Sequence, residues 1–204
     1  NTPVLELAKD AQAMRVGKRI FSNNCATCHM IDGAGAKGYP NLTDDDWLWG
    51  SSPEQIKATL VNGRIAAMPA WESVLGMTGL DNMTRYLLSL SQNAAADKQA
   101  ATETSDSAAS SGDTGEEVVD RGMLAAKQQY AALCSVCHGA EGEGNIAFGA
   151  PRLNDDIWLY GGSAVEIRHG LANGRNGVMP AQADILSEEK IHLLTAYVYQ
   201  LSRQ

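Results

Sequence analysis

Two stretches of this chain are copies of each other, and that duplication limits the folds open to it. Asp45-Asp46-Trp47-Leu48-Trp49-Gly50 is answered by Asp156-Ile157-Trp158-Leu159-Tyr160-Gly161 at an offset of 111 residues. The same offset aligns Pro40 with Pro151, Asn62-Gly63-Arg64 with Asn173-Gly174-Arg175, and Met68-Pro69-Ala70 with Met179-Pro180-Ala181. Upstream, Cys25 and Cys134 are 109 apart, so the second copy has two extra residues in a Gly-rich loop. A repeat of this length is one structural unit used twice. Units this small sit where an apolar core alone is marginal, and they ordinarily need a staple, a metal or a large cofactor.

The repeat predicts units over residues 1–92 and 117–204. Between them, residues 93–116 contain no aromatic and no aliphatic side chain larger than Ala. Such a segment cannot bury enough surface to offset its ordering entropy, which predicts a flexible linker with a span of roughly 25–30 Å. A helix over its Ala-rich start, Ala94 to Ala101, is the other reading. Apolar residues recur at helical spacing over 11–24, 119–133, 80–91 and 187–202, and Ser52-Pro53 and Ser163 open two further helices. No alternating strand pattern is evident, so the expected fold class is all-α.

The linker also holds half of the excess negative charge: one basic and five acidic residues, in a chain of net charge −8. With no basic stripe to neutralise phosphates, nucleic acid is not an expected partner. No apolar run reaches the length of about 18–20 residues that spans a bilayer.

The four cysteines fall in two pairs, each followed at once by histidine: Cys25-Ala26-Thr27-Cys28-His29 and Cys134-Ser135-Val136-Cys137-His138. This is the attachment pattern of c-type haem. Cysteines three apart on a helical turn present both sulfurs to one porphyrin, and the next residue projects toward the iron. Other uses of a CxxC pair fit less well. A thioredoxin-like disulfide expects an α/β context, and a zinc site needs four ligands per unit. With histidine on one side, a thioether on the other suits electron transfer. Beyond His138 the sole methionine is Met179, and its repeat equivalent is Met68, so these two are the expected iron ligands, with His29 and His138 opposite. The proline after each favours a loop over a helix. Pro40 and Pro151 are candidate carbonyl acceptors for the histidine rings. Trp47, Trp158, Arg64 and Arg175 are candidate donors to haem propionates, against the plainer readings of packing and a solvated turn.

These features resemble class I cytochrome c domains in tandem. A closer likeness is to the dihaem subunit of cbb3-type cytochrome c oxidases, CcoP or FixP. It is carried by Glu6-Leu7-Ala8-Lys9-Asp10 ahead of Arg15-Val16-Gly17, by Pro40-Asn41-Leu42-Thr43-Asp44-Asp45, and by the Trp47, Asn62, Met68 and Trp158 motifs. The resemblance implies two covalently bound haem c groups and a chain that relays electrons without catalysing a reaction itself. Its partners would be a donor cytochrome and the oxygen-reducing subunit. The family carries a membrane-anchoring segment ahead of the first haem domain, so the chain is expected to be a periplasmic part, tethered to the bacterial inner membrane through that segment or through its complex. A freestanding periplasmic dihaem carrier is the alternative. A peroxidase-like enzyme would need an open iron position, which two Met-Pro pairs argue against.

Overall fold

A computed structural model describes residues 2–102 and 120–203, excepting the side chains of residues 93–102. Each repeat begins with a helix that runs into its CxxCH turn. In the first, helix α1 (Val4–Leu7) precedes α2 (Ala11–Asn24) and the single turn α3 (Ala26–His29). Helix α4 (Pro53–Asn62), strand β1 (Arg64–Met68) and helix α5 (Glu72–Thr102, broken at Gly76) follow. The second repeats the order with α6 (Arg121–Leu133), α7 (Ser135–His138), α8 (Ala164–Asn173), β2 (Arg175–Met179) and α9 (Glu188–Leu201).

Local chemistry sets the boundaries. Asp10 accepts from Ala13 N–H at 2.7 Å and Asp120 from Gly122 N–H at 2.9 Å, capping the two entry helices. Ser52 with Gln55, and Ser163 with Glu166, form reciprocal capping boxes at the starts of α4 and α8. Each satisfies backbone donors that a helix start leaves without partners.

The packing exchanges the ends of the two repeats. Helix α2 packs on α9, and α5 packs on α6 and α8. One core joins Phe21 and Ile20 of α2, Ile56 and Leu60 of α4, and Ile191, Leu194 and Leu201 of α9. The other joins Leu80, Met83 and Leu87 of α5 with Tyr130 of α6 and Leu171 of α8. Phe21 meets Tyr197 at 5.5 Å between ring centroids, and Tyr130 meets Tyr86 at 5.4 Å. The spans 1–92 and 117–204 are thus the repeat units of the sequence, and the packed bodies interleave them. Residues 103–116 of the expected linker lie outside the described residues, while 93–102 continue α5.

The crossing is made by β1 and β2, which pair antiparallel with Arg64 opposite Met179 and Met68 opposite Arg175. This two-stranded sheet corrects the all-α expectation. Its strands are five residues long and their partners lie 107 to 115 residues apart, so neither shows the turn signal of a local hairpin. At about 3.3 Å per residue, each strand carries the chain roughly 16 Å from one body to the other. Among the described residues, no helix is long and apolar enough to cross a membrane.

Gly17 sits where α2 crosses α9. A Cβ there would lie 2.6 Å from Tyr197 Cβ and 3.1 Å from the Leu193 carbonyl oxygen, and both neighbours belong to a buried helix that cannot give way cheaply. We predict that Gly17→Ala lowers stability by about 1–3 kcal/mol despite alanine's better helix propensity, because overpacking forces the helices apart. Denaturant unfolding of the matured protein measures this. An unchanged midpoint would show that the helices do not cross at this point.

Candidate haem sites

In both copies the entry helix ends at the first cysteine, which begins the short turn carrying the second cysteine and the histidine. The chain then enters a Gly-rich loop that returns past the histidine. His29 Nδ1 donates to the Pro40 carbonyl at 3.0 Å, and His138 Nδ1 to the Pro151 carbonyl at 2.9 Å. A carbonyl can only accept, so each ring carries its proton on Nδ1 and leaves the Nε2 lone pair free for a metal. The loop is clasped from behind: Gly35 N–H donates to the His29 carbonyl at 3.0 Å, and Gly144 N–H to the His138 carbonyl at 2.8 Å. Burial holds His138 below the usual histidine range, against an opposing pull from the Pro151 carbonyl.

All four cysteines are free thiols. Burial pushes Cys25 up to about 11, helped by Cys28, and Cys134 up to about 11, helped by Cys137. Both are therefore protonated near neutral pH. Among the described residues, no group of three or more His, Cys, Asp and Glu side chains could hold a metal ion.

The Met-Pro segments lie across the ribbon. Met179-Pro180-Ala181 passes over Gly63 at the end of α4, where an added Cβ would meet Ala181 N at 2.6 Å. Gln182 N–H then donates to the Leu60 carbonyl at 2.8 Å. Met179, Cys25 and Trp47 all border the α2–α4–α9 core. The other copy mirrors this. Met68-Pro69-Ala70 passes over Gly174 at the end of α8, Trp71 N–H donates to the Leu171 carbonyl at 2.8 Å, and Cys134 and Trp158 border the core of that body. The structure thus places Met179 in the body of His29, and Met68 in the body of His138. Self-contained repeats would instead bring each Met to the histidine of its own copy.

These features fit haem c: two free thiols and an imidazole on one turn, an apolar wall, and a methionine delivered by the ribbon. Arg64 lies over the Trp49 ring at 4.7 Å and donates through Nε to Thr59 Oγ1 at 2.8 Å. Arg175 lies over the Tyr160 ring at 4.6 Å and donates to the Glu166 carbonyl at 3.1 Å. Trp49 and Tyr160 went unnoticed as candidate residues. Their signal was available: two aromatics at matched positions in the repeat, each beside a matched Arg.

Pro40 and Pro151 line a common cleft between the repeats, of about 340 Å³, together with Asp44, Asp46 and Trp158. Burial, then the Asp155 and Asp44 carboxylates, push Asp46 up to about 6, with Arg152 pulling the other way.

The family model described as cytochrome c oxidase, cbb3-type, subunit III matches the chain twice, over residues 12–87 and 122–198. The chain is 40% identical over 202 residues to the cbb3-type cytochrome c oxidase subunit CcoP of Rubrivivax gelatinosus, covering 98% of this chain and 59% of the relative. It is 38% identical over 213 residues to the subunit FixP of Azorhizobium caulinodans, covering 98% of this chain and 65% of that protein. It spans about three-fifths of the length of these relatives.

The cleft generates a pH prediction. The folded state binds the Asp46 proton more tightly than an unfolded chain with the ordinary value of 3.8, so ionising Asp46 destabilises the fold. That penalty is absent below pH 3.8 and complete above about 6. Asp46→Asn is expected to unfold at a higher temperature than the unaltered protein at pH 7, with the difference vanishing as the pH falls to 3.8. Melting curves across this range are the check. A variant less stable at pH 7 would contradict the burial of a charge there.

Proposed function

The chain belongs to the family of cbb3-type cytochrome c oxidase subunit III, and from that premise we propose that it is the dihaem electron-relay part of such a subunit. One haem c would be held by the Cys25 and Cys28 thiols with His29 toward its iron, and the other by Cys134 and Cys137 with His138. The observation that carries this reading is the duplicated CxxCH turn whose histidine is oriented by a proline carbonyl, at 3.0 Å in one copy and 2.9 Å in the other.

We assign the sixth ligands crosswise: Met179 to the iron of His29, and Met68 to the iron of His138. The ladder register and the bodies in which the Met-Pro segments pack support this pairing. Haem, when bound, supplies the one-electron chemistry. The residues fix its orientation and exclude water, and the paired ligands leave no open position for a substrate. A relay, not an enzyme, follows. The Nδ1–H donations keep both imidazoles in one tautomer. Trp47 and Trp158 wall the two sites, while Arg64 and Arg175 remain candidates to meet propionates with the N–H groups not already engaged.

On this reading a donor cytochrome delivers electrons on the periplasmic side, and the chain passes them toward the oxygen-reducing subunit. Contact with the inner membrane runs through the anchored part of the full-length subunit or through its partners.

The ligand pairing is tested in a full chain lacking the first attachment site (Cys25→Ala, Cys28→Ala), so that one haem remains, on Cys134 and Cys137. Met68→Ala in that background should abolish the red charge-transfer band of thioether-bound ferric haem and lower the potential, and Met179→Ala should leave both in place. The opposite result would return each methionine to its own repeat. Loss of the band with neither variant would remove methionine ligation altogether.

A further inference from the structure

Both repeats press an aromatic ring onto the Gly-rich loop of the other. Trp49, in the turn before α4, lies against Gly149 of the second repeat's loop. A Cβ at Gly149 would overlap the indole and come within 2.8 Å of Nε1, and Gly149 has a φ of +62° that disfavours any side chain. Tyr160 lies against Gly38 of the first repeat's loop, where an added Cβ would touch its Cε1 at 3.5 Å. Gly38 N–H donates to the Leu159 carbonyl at 2.8 Å, and Lys37 reaches Glu166 at 2.5 Å beside it.

Each ring also carries an arginine of its own repeat: Arg64 over Trp49 and Arg175 over Tyr160. Arg64 is the ladder partner of Met179, and Arg175 of Met68. Gly149 lies two residues before Pro151, whose carbonyl orients His138, and Gly38 two residues before Pro40, which orients His29. Trp49 therefore stands between the methionine end of one site and the histidine loop of the other. Tyr160 does the same in the reverse sense. Stacking under a guanidinium adds an attraction that a mobile surface ring would lack.

We propose that Trp49 and Tyr160 are positioning residues for electron exchange between the two haems, setting the separation and mutual orientation of the sites by wedging against Gly149 and Gly38. This deepens the relay reading and rests on it. The glycines are the sockets of the wedges: the rings come close because no side chain stands in the way. Neither ring needs to contact a reacting atom, and each acts through the loop it bears on.

The test uses the full chain with both haems attached. Intramolecular electron equilibration is followed after pulsed reduction of a small fraction of the haem. The Soret circular-dichroism couplet, which depends on the mutual orientation of the two porphyrins, is recorded alongside. Trp49→Ala should slow equilibration several-fold and shrink the couplet while both thioether bands persist, and Trp49→Phe should restore most of both. Tyr160→Ala, at the looser contact, is the second variant and should act in the same direction; it decides the question if Trp49→Ala fails to mature. Exchange in the unaltered protein with rate and couplet untouched by the alanine variants would overturn the positioning role alone. No exchange between the haems of the unaltered protein would overturn the relay reading, and this inference with it.

Discussion

The pairing of β1 with β2 is the contact on which the rest of the molecule depends. Five residues of one repeat run antiparallel to the matching five of the other. On the inner face of this ribbon the side chains of Arg64, Met68, Arg175 and Met179 point toward the bodies. On the outer face Ile65 and Val178 stand opposite each other, 76% and 68% exposed. Each strand leaves the end of one helix and arrives, after a Met-Pro turn, at the equivalent helix end of the other repeat. Gly63 and Gly174 make that arrival possible. Both have a φ in the left-handed region, and both lie so close to the incoming backbone that a side chain would have no room.

From this crossing follows a molecule whose two sites are not independent. In the body of His29, α2 and α4 come from the first repeat while α9 and Met179 come from the second. The body of His138 draws on the repeats in the reverse proportion. An opening that frees α9 from α2 strips the first site of the core beside its cysteine, and it pulls on the strand that positions the second. Two weakly stable units have become one cooperative unit, which answers the size problem that each repeat faces alone. Among the described residues, the ion pairs that cross between the repeats, Lys37 with Glu166, Lys57 with Glu188, Arg85 with Asp120 and Arg168 with Asp81, are solvent-facing and add little by comparison.

What was legible in the sequence was everything written within about a dozen residues. The CxxCH turns, the capping serines Ser52 and Ser163, the apolar face of Ile20 and Phe21, and the repeat itself all carry local or periodic signals. The crossing carries none, for a physical reason. Tyr86 to Ser91 and Tyr197 to Ser202 are equivalent by sequence, so either can complete either core, and nothing short-range tells the closed pairing from the exchanged one. The strands were equally silent, because Ala66, Ala67 and Gly177 lack the β-branched alternation that marks a strand. The arginines were noticed and their aromatic partners were not. The matched aromatics of the repeat mark the rings, but their contact with a loop about 100 residues away is marked only by a pair of glycines in a stretch already rich in them.

The exchange also bears on how two irons can be held at a fixed spacing. A polar chain with a span of roughly 25–30 Å, acting alone, would allow two self-contained domains to sample many mutual orientations, and exchange between their cofactors would wait on each encounter. Interleaving removes that freedom by placing covalent backbone, and not only surface contacts, between the sites. Yet an isolated two-stranded ribbon is marginal in water. The ribbon therefore holds only because its inner face rests on both bodies, and the bodies stay aligned only because the ribbon passes between them. Trp49 and Tyr160 lie at the two ends of that mutual support, each bearing on a loop whose proline orients the histidine of the opposite repeat. The same few contacts thus order the backbone and space the two CxxCH turns, so a change that loosens the fold at the ribbon will be felt first in how one turn sits against the other.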